Sequence, residues 1–157
     1  MNESAKRFDG RGFCMEPYCH KVQYYETDMM GITHHANYIR WMEEARIDFM
    51  NQIGFPYSTM EAQGIISPVK SVSCQYQHTS TFDNQIRITV TVSSFNGVVL
   101  VLNYVMQNQE TGEQVCSASS EHVFLDRQGN FVRMKRIMPA FCEAVQNLIQ
   151  QENSPEQ

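Results

Sequence analysis

Positive charge is scarce in this sequence. Twelve Lys and Arg stand against seventeen Asp and Glu, for a formal net charge of −5. A nucleic-acid platform needs a surplus of cations to displace counterions from phosphates, so that class is disfavoured. Long apolar runs are also lacking. The longest, Val98-Val99-Leu100-Val101-Leu102, is five residues, against the ~20 needed to cross a bilayer. The opening stretch, MNESAKRFDGRG, is polar and holds no apolar core of a secretory signal, so the cytoplasm is the expected compartment. The five cysteines (Cys14, Cys19, Cys74, Cys116, Cys142) are odd in number and scattered. Cys14 and Cys19 lack a second pair at zinc-site spacing, so neither a metal site nor any other cofactor is expected. There is no internal repeat and no linker. At 157 residues with 42% hydrophobic and 18% charged, the chain fits one globular domain able to bury roughly 68–70% of its unfolded surface.

That domain is expected over residues 17–151, between a loose arm at 1–16 and a frayed tail at 152–157. A first strand fits Tyr18–Glu26 and runs into a polar loop, Thr27–His34. Tyr38, Trp41, Met42, Ala45, Phe49 and Ile53 then recur at three- and four-residue steps. This spacing predicts a helix from Ala36 to Ile53 with one apolar face. Arg40, Glu43, Glu44 and Asp48 fall largely on the other face, and Gly54 and Pro56 supply the stop. Ser58 and Glu61 have capping-box spacing for a short helical turn. From Ile65 onward the period changes to two. Val72, Cys74 and Tyr76 alternate with polar partners, as do Ile86, Ile88, Val90 and Val92. Asn96-Gly97 marks a hairpin, because the pair readily takes positive φ. Further strands fit Val98–Gln107 and Gln114–Leu125, and Pro139 opens a last helix carrying Phe141, Val145, Leu148 and Ile149. The order is strand, long helix, four strands, small helix. It predicts an α+β domain with one antiparallel sheet laid against one helix. A single helix leaves sheet edge and apolar area uncovered, so a homodimer or homotetramer is expected.

The chemistry-bearing stretch runs Tyr24-Tyr25-Glu26-Thr27-Asp28-Met29-Met30-Gly31-Ile32-Thr33-His34-His35-Ala36-Asn37-Tyr38. It sets an acid, a glycine turn and a histidine just before a long helix. The first N–H groups of a helix have no internal partner and carry the positive end of its dipole. They can polarise a carbonyl oxygen, while a carboxylate on a folded-back loop acts as base or nucleophile. Spacing alone leaves a second reading open, in which Asp28 caps a loop and His35 caps the helix start.

Asp-x-x-Gly-Ile-x-x-His-x-x-Tyr, from Asp28 to Tyr38, resembles the signature of the 4-hydroxybenzoyl-CoA thioesterase branch of the hot-dog superfamily. It looks closest to the bacterial acyl-CoA thioesterases of that branch, over roughly Tyr18 to Ile149. The resemblance implies a five- or six-stranded antiparallel sheet wrapped around the long helix. It further implies hydrolysis of acyl-CoA or acyl carrier protein thioesters with Asp28 as nucleophile or general base. By the same resemblance, Gly31 brings backbone near the substrate and the His35 N–H faces the thioester carbonyl. Tyr24 matches a strand tyrosine thought to orient the site. His34 stands where relatives often carry a bulkier residue, which bears on acyl-pocket shape. The alternatives are a non-catalytic acyl-thioester binding protein and a hot-dog dehydratase. An intact loop acid weighs against both.

Met29 and Met30 flank Asp28, and could line an acyl slot or serve as adaptable packing. Arg133, Lys135 and Arg136 form the densest basic cluster, either a solvated face or an attractor of CoA phosphates. His20, His78 and His122 lie on separate expected strands and read as strand-surface residues. Ser117, Ser119 and Ser120 lack Gly-x-Ser-x-Gly context, so none reads as a nucleophile.

Overall fold

The computed structural model of the protein describes residues 15–154. The expected arm at 1–16 falls almost wholly outside the described residues, and Cys14 lies outside them. Helix α1 spans Ala36–Gln52, one residue short of expectation. Tyr38, Trp41, Met42, Ala45 and Phe49 are buried, as their spacing requires, while Ile53 is the C-cap and only partly buried. Gly54 follows at φ +89°, the left-handed conformation that ends helices cheaply. Arg46 is buried as well; its guanidinium donates to the Tyr57 hydroxyl and lies 5.2 Å from that ring's centroid.

Five strands form one antiparallel sheet: β1 (Tyr18–Lys21), β2 (Val69–Tyr76), β3 (Gln85–Phe95), β4 (Val99–Asn108) and β5 (Gln114–Val123). Their order is β1-β3-β4-β5-β2. Alternate residues Ile86, Ile88, Val90 and Val92 of β3, and Leu100, Leu102, Tyr104 and Met106 of β4, are buried in one core with the α1 stripe. Period two thus turns one sheet face onto the helix. β2 differs. It is an edge strand on which only Cys74 is half-buried, and Val69, Val72 and Tyr76 stay exposed. Helix α2 (Tyr57–Ala62) follows α1, and α3 (Met134–Ile137) leads into α4 (Pro139–Asn153). Helix α4 buries Phe141, Val145 and Leu148, and packs Ile149 against the core. Phe141 meets Phe95 and Phe124 edge-on at 5.7 Å, closing the end of the sheet beside the β3–β4 hairpin.

Several expectations are corrected. The first strand stops at Lys21, and Tyr24–Glu26 is a 3₁₀ turn. The Glu26 side chain accepts the Gln23 N–H at 2.8 Å while its own N–H reaches the Gln23 carbonyl at 3.0 Å, which curls the chain out of the sheet. Pro56, not Ser58, occupies the N-cap of α2, and no side chain caps that helix. At the hairpin only Gly97 takes positive φ, +89°. Asn96 instead accepts the Val98 and Val99 N–H groups through Oδ1, the local side-chain bonding that favours Asn in turns.

Candidate active site

The loop carrying Asp28 is short and tied at both ends. Thr27 and Thr33 bridge each other, and the Asp28 N–H donates to the Ile32 carbonyl at 2.9 Å. Gly31 turns the chain at φ +76°, which only glycine adopts without strain, and donates to the Asp28 carbonyl. The loop is fastened to the segment between β2 and β3. Thr33 donates its N–H to the Ser80 carbonyl at 2.8 Å, and Thr81 donates its hydroxyl to the Gly31 carbonyl at 2.9 Å. Tyr38 of α1 shares a 2.8 Å hydrogen bond with the Ser80 hydroxyl, so helix and loop meet at one residue.

Asp28 is half-buried, and its Oδ1 accepts the Met30 N–H at 2.8 Å. Among the described residues nothing engages Oδ2. The start of α1 lies at the other end of the same loop. There His35 is the N-cap residue but its side chain makes no capping hydrogen bond; His34 Nδ1 instead accepts the Ala36 N–H at 3.1 Å. The His35 N–H has no hydrogen-bond partner among the described residues. Its carbonyl accepts the Tyr76 hydroxyl of β2 at 2.9 Å, and its exposed ring stacks on His34 with centroids 4.2 Å apart. A free carboxylate oxygen and a free amide at the positive end of a helix thus flank one loop. That pairing can attack or deprotonate on one side and hold an oxyanion on the other.

Glu26 is the residue that sequence reasoning missed. It is only 4% exposed. Its Oε1 accepts His20 Nε2 at 2.7 Å and the Gln23 N–H at 2.8 Å, and its Oε2 accepts the Trp41 indole N–H at 2.6 Å. Burial alone would raise its carboxyl pKa. The Gln23 amide, His20 and Trp41 more than offset that and hold it below the usual range. Its carbonyl accepts the His34 N–H at 2.8 Å and the Asn37 side-chain amide at 2.9 Å. The only signal in the sequence was the capping spacing between Gln23 and Glu26.

The remaining candidates are spread out. Tyr24 sits on the 3₁₀ turn, 77% exposed, its ring edge-on to Phe82 at 5.7 Å; no hydrogen bond joins it to Asp28 among the described residues. Met29 and Met30 are exposed beside Asp28 and stand outside the core of this chain. Arg133, Lys135 and Arg136 line a cavity of about 630 Å³ with Asn96, Gly97 and Val98. That cavity is at the hairpin end of the sheet, whereas the Asp28 loop is fastened beside the start of β3. Eleven residues of β3 separate the two ends, about 33 Å of strand.

Two of the three surface histidines are not on the surface. His20 is a part-buried hydrogen-bond partner of Glu26 and Glu44, with its ring 4.6 Å from that of Trp41. His122 is 1% exposed, its Nε2 2.6 Å from the Ser120 hydroxyl, which in turn lies 2.8 Å from the Tyr104 hydroxyl. Burial lowers the His122 pKa to about 3, with Arg46 adding to the shift. A serine beside a histidine suggests a nucleophile, but Ser120 is 2% exposed and closed off in the core, out of reach of any substrate. His78 is exposed, in the loop after β2.

Comparison with known proteins bears on the fold and the family. The family model of the thioesterase-like superfamily matches residues 22–146. A Bacillus subtilis protein provisionally named an acyl-CoA thioesterase is 35% identical over 108 residues, 69% of this chain and 78% of its own. The crystal structure of a DHNA-CoA thioesterase from Staphylococcus aureus superposes with a TM-score of 0.82 at 30% identity, over 90% of this chain and 97% of its own. The 4-hydroxybenzoyl-CoA thioesterase of Pseudomonas sp. strain CBS-3 shares the fold, with a TM-score of 0.72 at 19% identity over 82% of this chain and 96% of its own. A five-stranded antiparallel sheet around one long helix, a glycine-turned acidic loop at that helix's start and a family match over most of the chain lead to one conclusion: the protein belongs to the hot-dog thioesterase-like superfamily.

Proposed function

We propose that the protein hydrolyses acyl-CoA thioesters to a free acid and a thiol, with Asp28 as the catalytic carboxylate. One observation carries the reading: Asp28 Oδ2 and the His35 N–H are both unengaged among the described residues, on the two flanks of one tied loop at the positive end of α1. The names of the relatives supply the substrate class, and acyl carrier protein remains an alternative carrier of the same thioester. In the base route Asp28 takes a proton from water as the water oxygen bonds to the carbonyl carbon. In the nucleophile route Asp28 itself forms that bond, and water then cleaves the mixed anhydride. Either way the C–S bond breaks; the leaving thiolate takes the proton back from Asp28 in the base route, and in the nucleophile route takes one from the water that cleaves the anhydride. The His35 amide holds the oxyanion in both routes.

Met29 and Met30 face the acyl group in this reading, and Gly31 keeps the loop tight. Arg133, Lys135 and Arg136 cannot serve the same chain's Asp28 from the far end of the sheet. They suit the site of a second copy. Two β2 edges paired antiparallel about a two-fold axis bring the hairpin end of one sheet beside the Asp28 end of the other. The β2 edge, unpaired among the described residues and carrying exposed Val69 and Val72, supports that assembly. Thiol release from acyl-CoA by folded Asp28→Asn, followed with a thiol-trapping reagent, tests the function. A rate within about threefold of the parent overturns it.

A further inference from the structure

Behind the reactive loop lies a hydrogen-bonded chain that thioester hydrolysis does not itself use. His20 Nε2 is 2.7 Å from Glu26 Oε1, and its Nδ1 is 2.9 Å from Glu44 Oε2. A neutral imidazole has one N–H and an ionised carboxylate has none to give. Filling both contacts therefore takes one proton more than a neutral histidine and two carboxylates carry. The Tyr18 hydroxyl also donates to Glu44, at 3.0 Å, and the Trp41 indole donates to Glu26. The other charged or titratable neighbours are Asp48 on α1 and Cys19 on β1, which act on Tyr18. On β3, His20 is paired with Ile86, and the exposed Arg87 is paired with Cys19.

We propose that Glu26 is a positioning residue for Asp28, held in place by the His20 ring that links it to Glu44 and by the Trp41 indole. The inference rests on the thioesterase reading above. Glu26 stands two residues before Asp28. Its carboxylate joins β1, the 3₁₀ turn and α1, while its carbonyl takes the His34 N–H and the Asn37 amide. Both flanks of the 27–33 loop hang from it, the acid on one side and the free His35 N–H on the other. A variant that removes the His20 ring leaves Glu26 Oε1 with the Gln23 N–H alone. A buried carboxylate that loses a donor shifts to find another. A displacement of ~1 Å in a reacting group can cost up to ~10²-fold in rate.

The test is the split between kcat and KM, measured on the folded parent, Glu26→Asp, His20→Ala, His20→Gln and Asp28→Asn proteins. Glu26→Gln sets an amide donor against Trp41 and can fail to fold, so Glu26→Asp is used in its place. The folded Glu26→Asp protein should lose at least ~10-fold in kcat with KM within about threefold. His20→Ala removes a donor to Glu26 and should lose kcat in the same way, while His20→Gln, which keeps an amide donor toward Glu26, should recover most of it. A merely structural role would lower the folded fraction and leave kcat per folded chain where it was. Parent-like kcat in Glu26→Asp, or equal kcat in His20→Ala and His20→Gln, overturns the inference. Full activity in Asp28→Asn instead overturns the reading on which the proposal rests, whatever the other variants show.

Discussion

The Asp28 carboxylate accepts the Met30 amide at 2.8 Å through Oδ1 alone. Asparagine keeps an oxygen at that position, so Asp28→Asn should preserve the turn and remove only the charge. General-base help is typically worth ~10²–10⁴-fold, and kcat should fall by at least about that much. His35→Ala should cost less, because the polarising N–H is backbone and survives. Tyr24→Phe should be mildest, since that hydroxyl stands in solvent beside Phe82. Steady-state kinetics on circular-dichroism-checked variants will show the ranking Asp28, His35, Tyr24. A larger loss at Tyr24 than at His35 would reverse these roles.

Charge removal at Arg133, Lys135 and Arg136 should raise KM for acyl-CoA and leave kcat nearly constant. Binding shared equally by ground and transition states gives that signature. The effect should shrink as salt screens the cluster. Equal KM values for the triple alanine variant and the parent at low salt would return these residues to a solvated face.

The β2 edge should be an interface. Val72 is 37% exposed and Tyr76 47% exposed on an edge strand whose neighbours elsewhere in the sheet are paired. Light scattering at micromolar concentration should give the mass of two chains or four. Val72→Asp should lower that mass with little effect on the fold of one chain, because the side chain is not in the core. A parent protein found only at single-chain mass excludes the shared site.

Acid should destabilise the protein through His122. Its folded pKa of about 3 lies below the usual value of 6.5. The unfolded chain therefore binds a proton between these values that the folded chain refuses, and stability falls as pH drops from 6.5 toward about 3. At pH ~5 the loss reaches about 2 kcal/mol, from about 1.4 kcal/mol per unit. His122→Gln keeps an amide near Ser120 without titrating. Denaturant unfolding at pH ~7 and ~5 should show a smaller difference for the variant than for the parent.

Periodicity and turn chemistry alone determined the α1 stripe from Tyr38 to Phe49, the alternation along β3 and the hairpin at Gly97. The turn at Gly31 between Asp28 and the start of α1 was legible as a loop leading into a helix, because its parts lie within eight residues, while spacing left its chemistry open. Tertiary structure decided the rest. Strand order put β2 at the far edge, where Cys74 and Tyr76 touch α1 yet its apolar residues stay partly or largely exposed, which no local pattern encodes. It set Arg133, Lys135 and Arg136 a sheet's length from Asp28. The same holds for the histidines: His20 found Glu44 twenty-four residues away, and Glu26 found Trp41 fifteen away. Apolar residues declare burial through spacing, but a polar residue can be buried only where partners from other elements arrive. Those partners exist only once the chain has folded.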